Sequence, residues 1–379
     1  MRATSELLSH AGPRADGSIT PKLRSVDLPA RIPQLDAVRG LAILVVILHN
    51  QSGKYPSLHL SRVFANGWMG VDLFFVLSGF LITGILLDTK GSEGWLKAFY
   101  IRRCLRIWPL YFAVILFMFV AVPWLIPVQG HAVFERSSPW WSFTLFVQNF
   151  FVPHLSGAAG PLGTTWSLAI EEQFYLVWPW VVRYCSAKQL RGIAFSVICV
   201  SPLVRVFLLD RGVDLYTNTF CRLDGLMAGA LMASVTRSPG FVPSKFVRRA
   251  EITFVVAALM AFVLQAVHLS WMVYSMSAMA SLSLVYLAVY SKEAWLQRVL
   301  RSRFLIYTGT ISYGLYLLHK IPFDAADALH LDRQPVVAAP LLLLVSFGIA
   351  VLSWNLLEKP FLGLKKHLAA RPVTVPGEA

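Results

Sequence analysis

LDAVRGLAILVVILHN, residues 35–50, decides the fold. Eight consecutive apolar side chains, Leu41 to Leu48, run straight into His49 with no turn signal between them. The surrounding apolar segment, 37–56, is long enough as a helix to cross a hydrocarbon layer about 30 Å thick at about 1.5 Å per residue. Working outward, similar segments recur at 67–87, 108–127, 139–152, 165–182, 192–209, 219–236, 252–268, 271–290, 304–321 and 337–358. With the first, these make eleven candidates in one lipid-embedded array.

The composition agrees. Of 379 residues 56% are hydrophobic and 14% charged, whereas ordinary globular domains carry about 25% charged residues. The net charge of +14 does not point to nucleic acid, because the basic residues are interleaved with apolar spans and form no stripe. The first 36 residues hold no apolar stretch and do not read as a cleavable signal peptide. The expected organisation is a disordered cytoplasmic tail over 1–34, a transmembrane domain over 35–362 and a second cytoplasmic tail over 363–379. Cys104, Cys185, Cys199 and Cys221 lie in or beside apolar spans without CxxC spacing, so neither a metal site nor a disulfide framework is expected.

Lys and Arg favour cytoplasmic loops, which tests how many segments cross. Six lie in the chain up to Arg39, five in 88–107, three in 183–191, four in 237–250, four in 291–303 and four after 358. Those clusters hold 26 of the 34 basic residues, and the alternate loops hold only seven, Arg222 and Lys320 among them. Because 88–107 and 183–191 both read as cytoplasmic, an even number of crossings separates them, yet three apolar segments do. The shortest, 139–152, contains Gln148 and Asn149 between Pro139 and Pro153, and its length of about 14 residues suits a re-entrant or interfacial segment. The fold expected is therefore all-α: a polytopic integral membrane protein of about ten transmembrane helices plus one short re-entrant or interfacial segment, with both termini cytoplasmic.

Counting helical rise from the segment ends places the ionisable residues in depth. His49 lies roughly 10 Å below the outer boundary, Asp72 roughly 8 Å and Glu171 and Glu172 about 10 Å, with His319 at a similar height. Such groups are costly at this depth unless paired or facing a water-filled cavity, so they mark a candidate site. A histidine can take a proton from a hydroxyl, and an adjacent carboxylate would fix its tautomer. Of Glu171 and Glu172, neighbours on one helix, only one can face the site squarely. On the cytoplasmic side Arg102, Arg103 and Arg106 precede the third segment, and their guanidinium groups suit the phosphates of a nucleotide-like donor or the anchoring of the inner leaflet. Asp36 and Arg39, three residues apart, suit an ion pair at a helix start.

Six stretches in order, LDAVRGLAILVVILHN (35–50), GWMGVDLFFVLSGFLIT (67–83), FYIRRCLRIWPLYF (99–112), TTWSLAIEEQFYLVWP (164–179), CRLDGLMAGALMA (221–233) and SYGLYLLHK (312–320), resemble the acyltransferase 3 family of membrane acyltransferases. The resemblance implies a ten-span fold that takes an acyl group, usually acetyl from acetyl-CoA on the cytoplasmic side, to a hydroxyl at the outer side. It implies functional roles for Arg39 and His49, for the basic group Arg102, Arg103 and Arg106, for Glu171 or Glu172, and for His319. One departure is visible: nine residues separate Arg39 from His49 where many members have ten, a rotation of about 100°. Nothing resembles the extracytoplasmic SGNH-type extension of longer members.

The expectation is thus an O-acyltransferase of the bacterial inner or plasma membrane. It has His49 as general base or transient acyl carrier, with Asp72, Glu171, Glu172 and His319 around it. Acyl-CoA is the donor, bound by Arg39, Arg102, Arg103 and Arg106. The acceptor is a glycan, a lipid-linked sugar or a secondary metabolite; the bilayer is a partner, and neither metal nor nucleic acid is expected. The competing expectation is a transporter or flippase using the same His and carboxylate groups as a proton relay.

Overall fold

The computed structural model describes residues 32–52, 54, 64–125, 138–151, 160–329 and 334–365, and among these every regular element is helical. Most of the two expected tails, 1–31 and 366–379, lies outside the described residues. Helices are what apolar runs of this length form in lipid, where each backbone polar group must find its partner inside its own segment. In chain order they are α1 (Pro33–Ser52), α2 (Met69–Thr89), α3 (Trp95–Leu116), α4 (Trp140–Thr144), α5 (Thr165–Tyr184), α6 (Ala187–Leu208), α7 (Thr219–Thr236) and α8 (Ser244–Ala266). Then come α9 (Ser270–Tyr290), α10 (Ala294–Leu300), α11 (Arg303–Thr310), α12 (Ser312–Leu318), α13 (Lys320–Ala328), α14 (Pro335–Ser353) and α15 (Lys359–Gly363).

Five helical stretches are long and apolar enough to cross a membrane by themselves: α2, α3 continued through a π turn to Leu125, α6 with its 3-10 extension to Arg211, α9, and α14 continued to Gly363. The number ten is not settled by this criterion. α1, α5, α7 and α8 are of similar length, 20, 20, 18 and 23 residues, but do not pass it. The apolar segment 304–321 is not one helix; it breaks after Thr310 and again at His319.

Segment 139–152 forms no continuous helix over its described part. A short α4 is followed by a turn at Phe146, with φ at 54°, and a 3-10 turn, Gln148–Phe150. Its two side-chain amides are buried and bonded: Gln148 Nε2 donates to the Thr165 carbonyl at 3.0 Å, and Asn149 Nδ2 donates to the Thr217 carbonyl and to Thr219 Oγ1. A broken segment frees backbone groups, and burial in protein is where that is tolerated at membrane depth.

α2 is central. It packs most extensively on α7, and it also meets α1, α5 and α9. Phe75, Val76 and Leu77 on α2 are all 1% exposed or less. Small residues permit the closest crossings. A Cβ added to Gly79 on α2 would lie 1.9 Å from the Leu226 carbonyl oxygen, and one on Gly309 of α11 would lie 1.7 Å from that of Asp36 on α1. In contrast, α6, α8 and α14 turn large apolar side chains outward: Leu203, Leu259 and Leu344 are each more than 60% exposed, as lipid-facing positions would be.

Candidate functional site

The local sequence that builds the site begins with α1. Asp36 near its start accepts from Arg39 Nη1 at 2.8 Å, the expected ion pair. Ten residues on, about 15 Å along the axis, His49 Nδ1 lies 2.8 Å from the Phe64 carbonyl oxygen. A carbonyl can only accept, so Nδ1 carries the proton and Nε2 is left with a lone pair. The partner that sets this tautomer is a backbone carbonyl, where sequence reasoning expected a carboxylate.

His49 lines a cavity of about 260 Å³ together with Asn50, Thr164, Trp166, Tyr216 and Lys320. A second cavity, of about 110 Å³, is lined by Arg39, Arg103, Arg106, Ser78, Glu171 and Tyr175 among others. Val71 and Tyr316 line both. The Tyr316 hydroxyl donates to the Thr164 carbonyl at 2.9 Å and lies 2.5 Å from Ser167 Oγ, which pins the ring between the two spaces. We call the His49 space the outer cavity and the arginine-lined space the inner one.

The single layer expected for the ionisable residues is therefore divided. Glu171 lies in the inner cavity, bonded to Ser78 Oγ at 2.9 Å and to the Tyr175 hydroxyl at 2.8 Å. The reason is visible on α5: Thr164, just before the helix, stands at the His49 cavity, and Glu171 is seven residues on, about 10 Å deeper. Depth counted from the apolar segment's end overlooked that the helix starts inside the protein rather than at the boundary. Glu172 turns away and accepts from Trp108 Nε1 at 3.2 Å.

Asp72 lines neither cavity. It is 2% exposed and pairs with Arg222 at 2.5 Å. The guanidinium of Arg222 sits over five rings, nearest Tyr274 at 4.3 Å and Tyr216 at 5.1 Å. Sequence reasoning counted Arg222 as a loop charge, although it sits on α7 and is 1% exposed. A second buried pair, Arg205 with Asp224, joins α6 to α7 and is closed by Ser275.

His319 is fully buried. Its Nδ1 faces the Tyr316 carbonyl at 2.9 Å, and its Nε2 lies 3.1 Å from Asn50 Nδ2, so the amide donates to it. It holds Asn50, the neighbour of His49, and does not itself line the outer cavity.

At the inner cavity, Arg103 stacks on Phe99 and Tyr175 at 5.8 and 5.6 Å, and its Nε has no hydrogen-bond partner among the described residues. Arg102 does not line the cavity. Lys365 was read only as a tail charge. It follows α15, which packs against α3, and burial, then repulsion by Arg106, Arg103 and Arg102, push its ammonium down to about 8. Four cations close enough to repel one another, with one guanidinium N–H unpartnered, are an arrangement suited to a polyanion. Among the described residues no group of three or more His, Cys, Asp or Glu side chains could hold a metal ion.

Comparison with known proteins identifies the family. A family model described as an acyltransferase domain matches residues 32–355. The chain is 31% identical over 359 residues to the peptidoglycan O-acetyltransferase OatA of Listeria monocytogenes, covering 87% of this chain and 55% of that one. It is 31% identical over 361 residues to a protein of Bacillus subtilis named "Putative peptidoglycan O-acetyltransferase YrhL", covering 87% and 54%. To a protein of Staphylococcus aureus strain COL named as a putative O-acetyltransferase it is 28% identical over 380 residues, covering 91% and 60%. The chain thus spans little more than half the length of these relatives, and no solved structure matches it. With the match running from the start of α1 to the turn after α14, the chain belongs to the acyltransferase 3 family.

Proposed function

We propose that this chain is a membrane O-acyltransferase that moves an acyl group, acetyl by default, from acyl-CoA held at the inner cavity to a hydroxyl of a glycan in the outer cavity. The observation that carries the reading is the His49 imidazole: Nδ1–H tied to a backbone carbonyl, Nε2 available, in a cavity separated by one tyrosine from an arginine-lined cavity.

The chemistry follows from those positions. His49 Nε2 takes the proton of the acceptor hydroxyl as its oxygen attacks the thioester carbonyl. The C–S bond breaks, and the imidazolium returns the proton to the departing thiolate. In the two-step variant Nε2 itself attacks the thioester and carries the acyl group to the acceptor. Rapid denaturation of a single turnover near neutral pH separates the routes, since only the second leaves label on the protein and an acyl-imidazole is lost quickly in acid. Arg103 and Arg106, with Lys365 beside them, grip donor phosphates, and Arg39, held by Asp36, lines the same space. His319 positions Asn50 next to His49.

The reading includes the topology. Five helices qualify as spans on their own, four more have the length, and the broken α11–α12 stretch makes a tenth, which supports a domain over 35–362 with short tails in the cytoplasm. The positive-inside count favours the cytoplasmic face for the arginine cluster. The names of the relatives favour a cell-wall glycan as acceptor.

The test uses the full chain in nanodiscs with labelled acetyl-CoA and a glycan acceptor. Acceptor-dependent release of CoA, lost in His49→Gln while the protein stays folded, is the expected result. Turnover surviving that change would sink the proposed centre.

A further inference from the structure

Lys320 stands where the chain breaks between α12 and α13, directly after His319, and its side chain enters the outer cavity beside His49. An ammonium has three protons to donate. One goes to the Gly160 carbonyl at 2.9 Å, and no other partner of this group is found among the described residues. The acid one turn further, Asp324, is bonded instead to Lys54 at 2.6 Å, and Lys54 also approaches Asp327 at 3.8 Å. Lys320 has no carboxylate within 4 Å among the described residues, and none of the residues lining the outer cavity is acidic.

Asp324 is the acid that acts on Lys320 electrostatically, but it is tied to Lys54, so Lys320 is a half-buried cation without a contacting carboxylate, in a wall otherwise made of rings, two valines, a glycine, hydroxyl, amide and imidazole. It attracts a negative group, and in a partly desolvated space a charge-assisted hydrogen bond is about twice as strong as a neutral one. At about 260 Å³ the space is just below the usual range for ligand pockets, about 300–1,000 Å³. That size suits one sugar ring with its substituent. Trp68, Trp166 and Tyr216 provide aromatic faces for such a ring.

We propose that the outer cavity takes an acceptor carrying an anionic group, a carboxylate or a phosphate, next to its reactive hydroxyl, and that Lys320 binds that group and so sets which hydroxyl meets His49. The proposal rests on the acyl-transfer reading for the hydroxyl's fate, but the binding preference can be read without turnover.

The experiment measures equilibrium binding of methyl β-D-glucuronide, glucose 1-phosphate and methyl β-D-glucoside to the detergent-solubilised full chain. It then measures acetyl-CoA-dependent acetylation of the same three. The expected result is a preference of at least tenfold for one or both anionic sugars over the glucoside. The glucuronide and phosphate arms tell a carboxylate site from a phosphate site. In Lys320→Met the anionic-to-neutral ratio falls to near one, and in Lys320→Arg most of it returns; a ratio does not depend on the amount of folded protein. A ratio near one in the unmodified protein, or one that Lys320→Met leaves unaltered, overturns the proposal. Anionic preference in binding without acetylation of any sugar would overturn the acyl-transfer reading and leave the Lys320 site standing.

Discussion

The inner and outer cavities share two wall residues, Val71 and Tyr316, yet are built on different electrostatic plans. The inner one gathers several fixed cations around one carboxylate, Glu171, which is held by two hydroxyl donors. The outer one has a single fixed cation, Lys320, and a histidine tied to a backbone carbonyl, with no acidic lining residue. On the proposed function, the contrast teaches that holding a polyanion and moving a proton are kept apart: an imidazole beside several guanidinium groups would resist protonation, and here a wall intervenes.

The comparison breaks most sharply at His49. His49→Gln lowers the rate of acyl transfer by about 10²–10⁴-fold while leaving acetyl-CoA affinity within a few-fold, measured by turnover and by equilibrium binding on the same preparation. A matched loss of donor affinity would mean that the two cavities are not separate in function.

Apart from both cavities, the Asp72–Arg222 pair joins α2 to α7, and its expected effect is on stability. Asp72→Ala strands a buried guanidinium and destabilises the protein by about 3–5 kcal/mol, seen as a lowered melting temperature in detergent. The double change Asp72→Ala, Arg222→Met recovers much of that, since no unpaired charge remains. Loss of turnover without loss of stability would instead assign Asp72 to the chemistry.

A smaller effect is expected at the inner cavity. Replacing Arg103 and Arg106 with Met raises KM for acetyl-CoA by about one to two orders of magnitude, the worth of a charged hydrogen bond or two, with little change in kcat. An unchanged KM would make them anchors of the inner leaflet.

The smallest is a pH effect through Lys365. Its folded-state value of about 8 means that the ammonium is charged below pH 8 and neutral above it. A bound polyanion favours the charged form, so donor binding takes up a proton above pH 8. Affinity is then level below pH 8 and falls by at most about tenfold per pH unit above it. Lys365→Gln should flatten the profile between pH 7.5 and 9.5. The sign for stability is the reverse: the unfolded chain binds more protons between pH 8 and the ordinary lysine value of about 10.4, so this group's contribution improves as pH rises through that window.

Much of the helical plan was legible because an apolar run of 17 or more residues has few alternatives in lipid. Segments 165–182, 219–236 and 271–290 correspond closely to α5, α7 and α9. His49 was legible for the same reason that it is unusual, a base at the end of an unbroken apolar run. Depth across helices was not, because each helix was measured from its own end while neighbours start at different heights; that error placed Glu171 beside His49. Arg222, Lys320 and Lys365 were hidden by the rule that read the topology. A lysine or arginine counted as a loop charge looks the same in sequence whether its tip meets water, a buried aspartate, or a cavity wall.

The crossings at Gly79 and Gly309 have a further consequence. Backbone rests on backbone at both, with no side chain between to act as a bearing, so neither pair of helices can slide or roll without separating. A frame locked in this way is ill suited to the rocking of one half against the other by which a carrier exposes its cargo alternately. What the two spaces share is small instead: Val71 and one phenol ring held by two hydrogen bonds. On the proposed acyl-transfer reading such a frame acts as a sieve: a two-carbon unit needs only Tyr316 to give up its two hydrogen bonds, whereas a long chain would have to part the helices themselves.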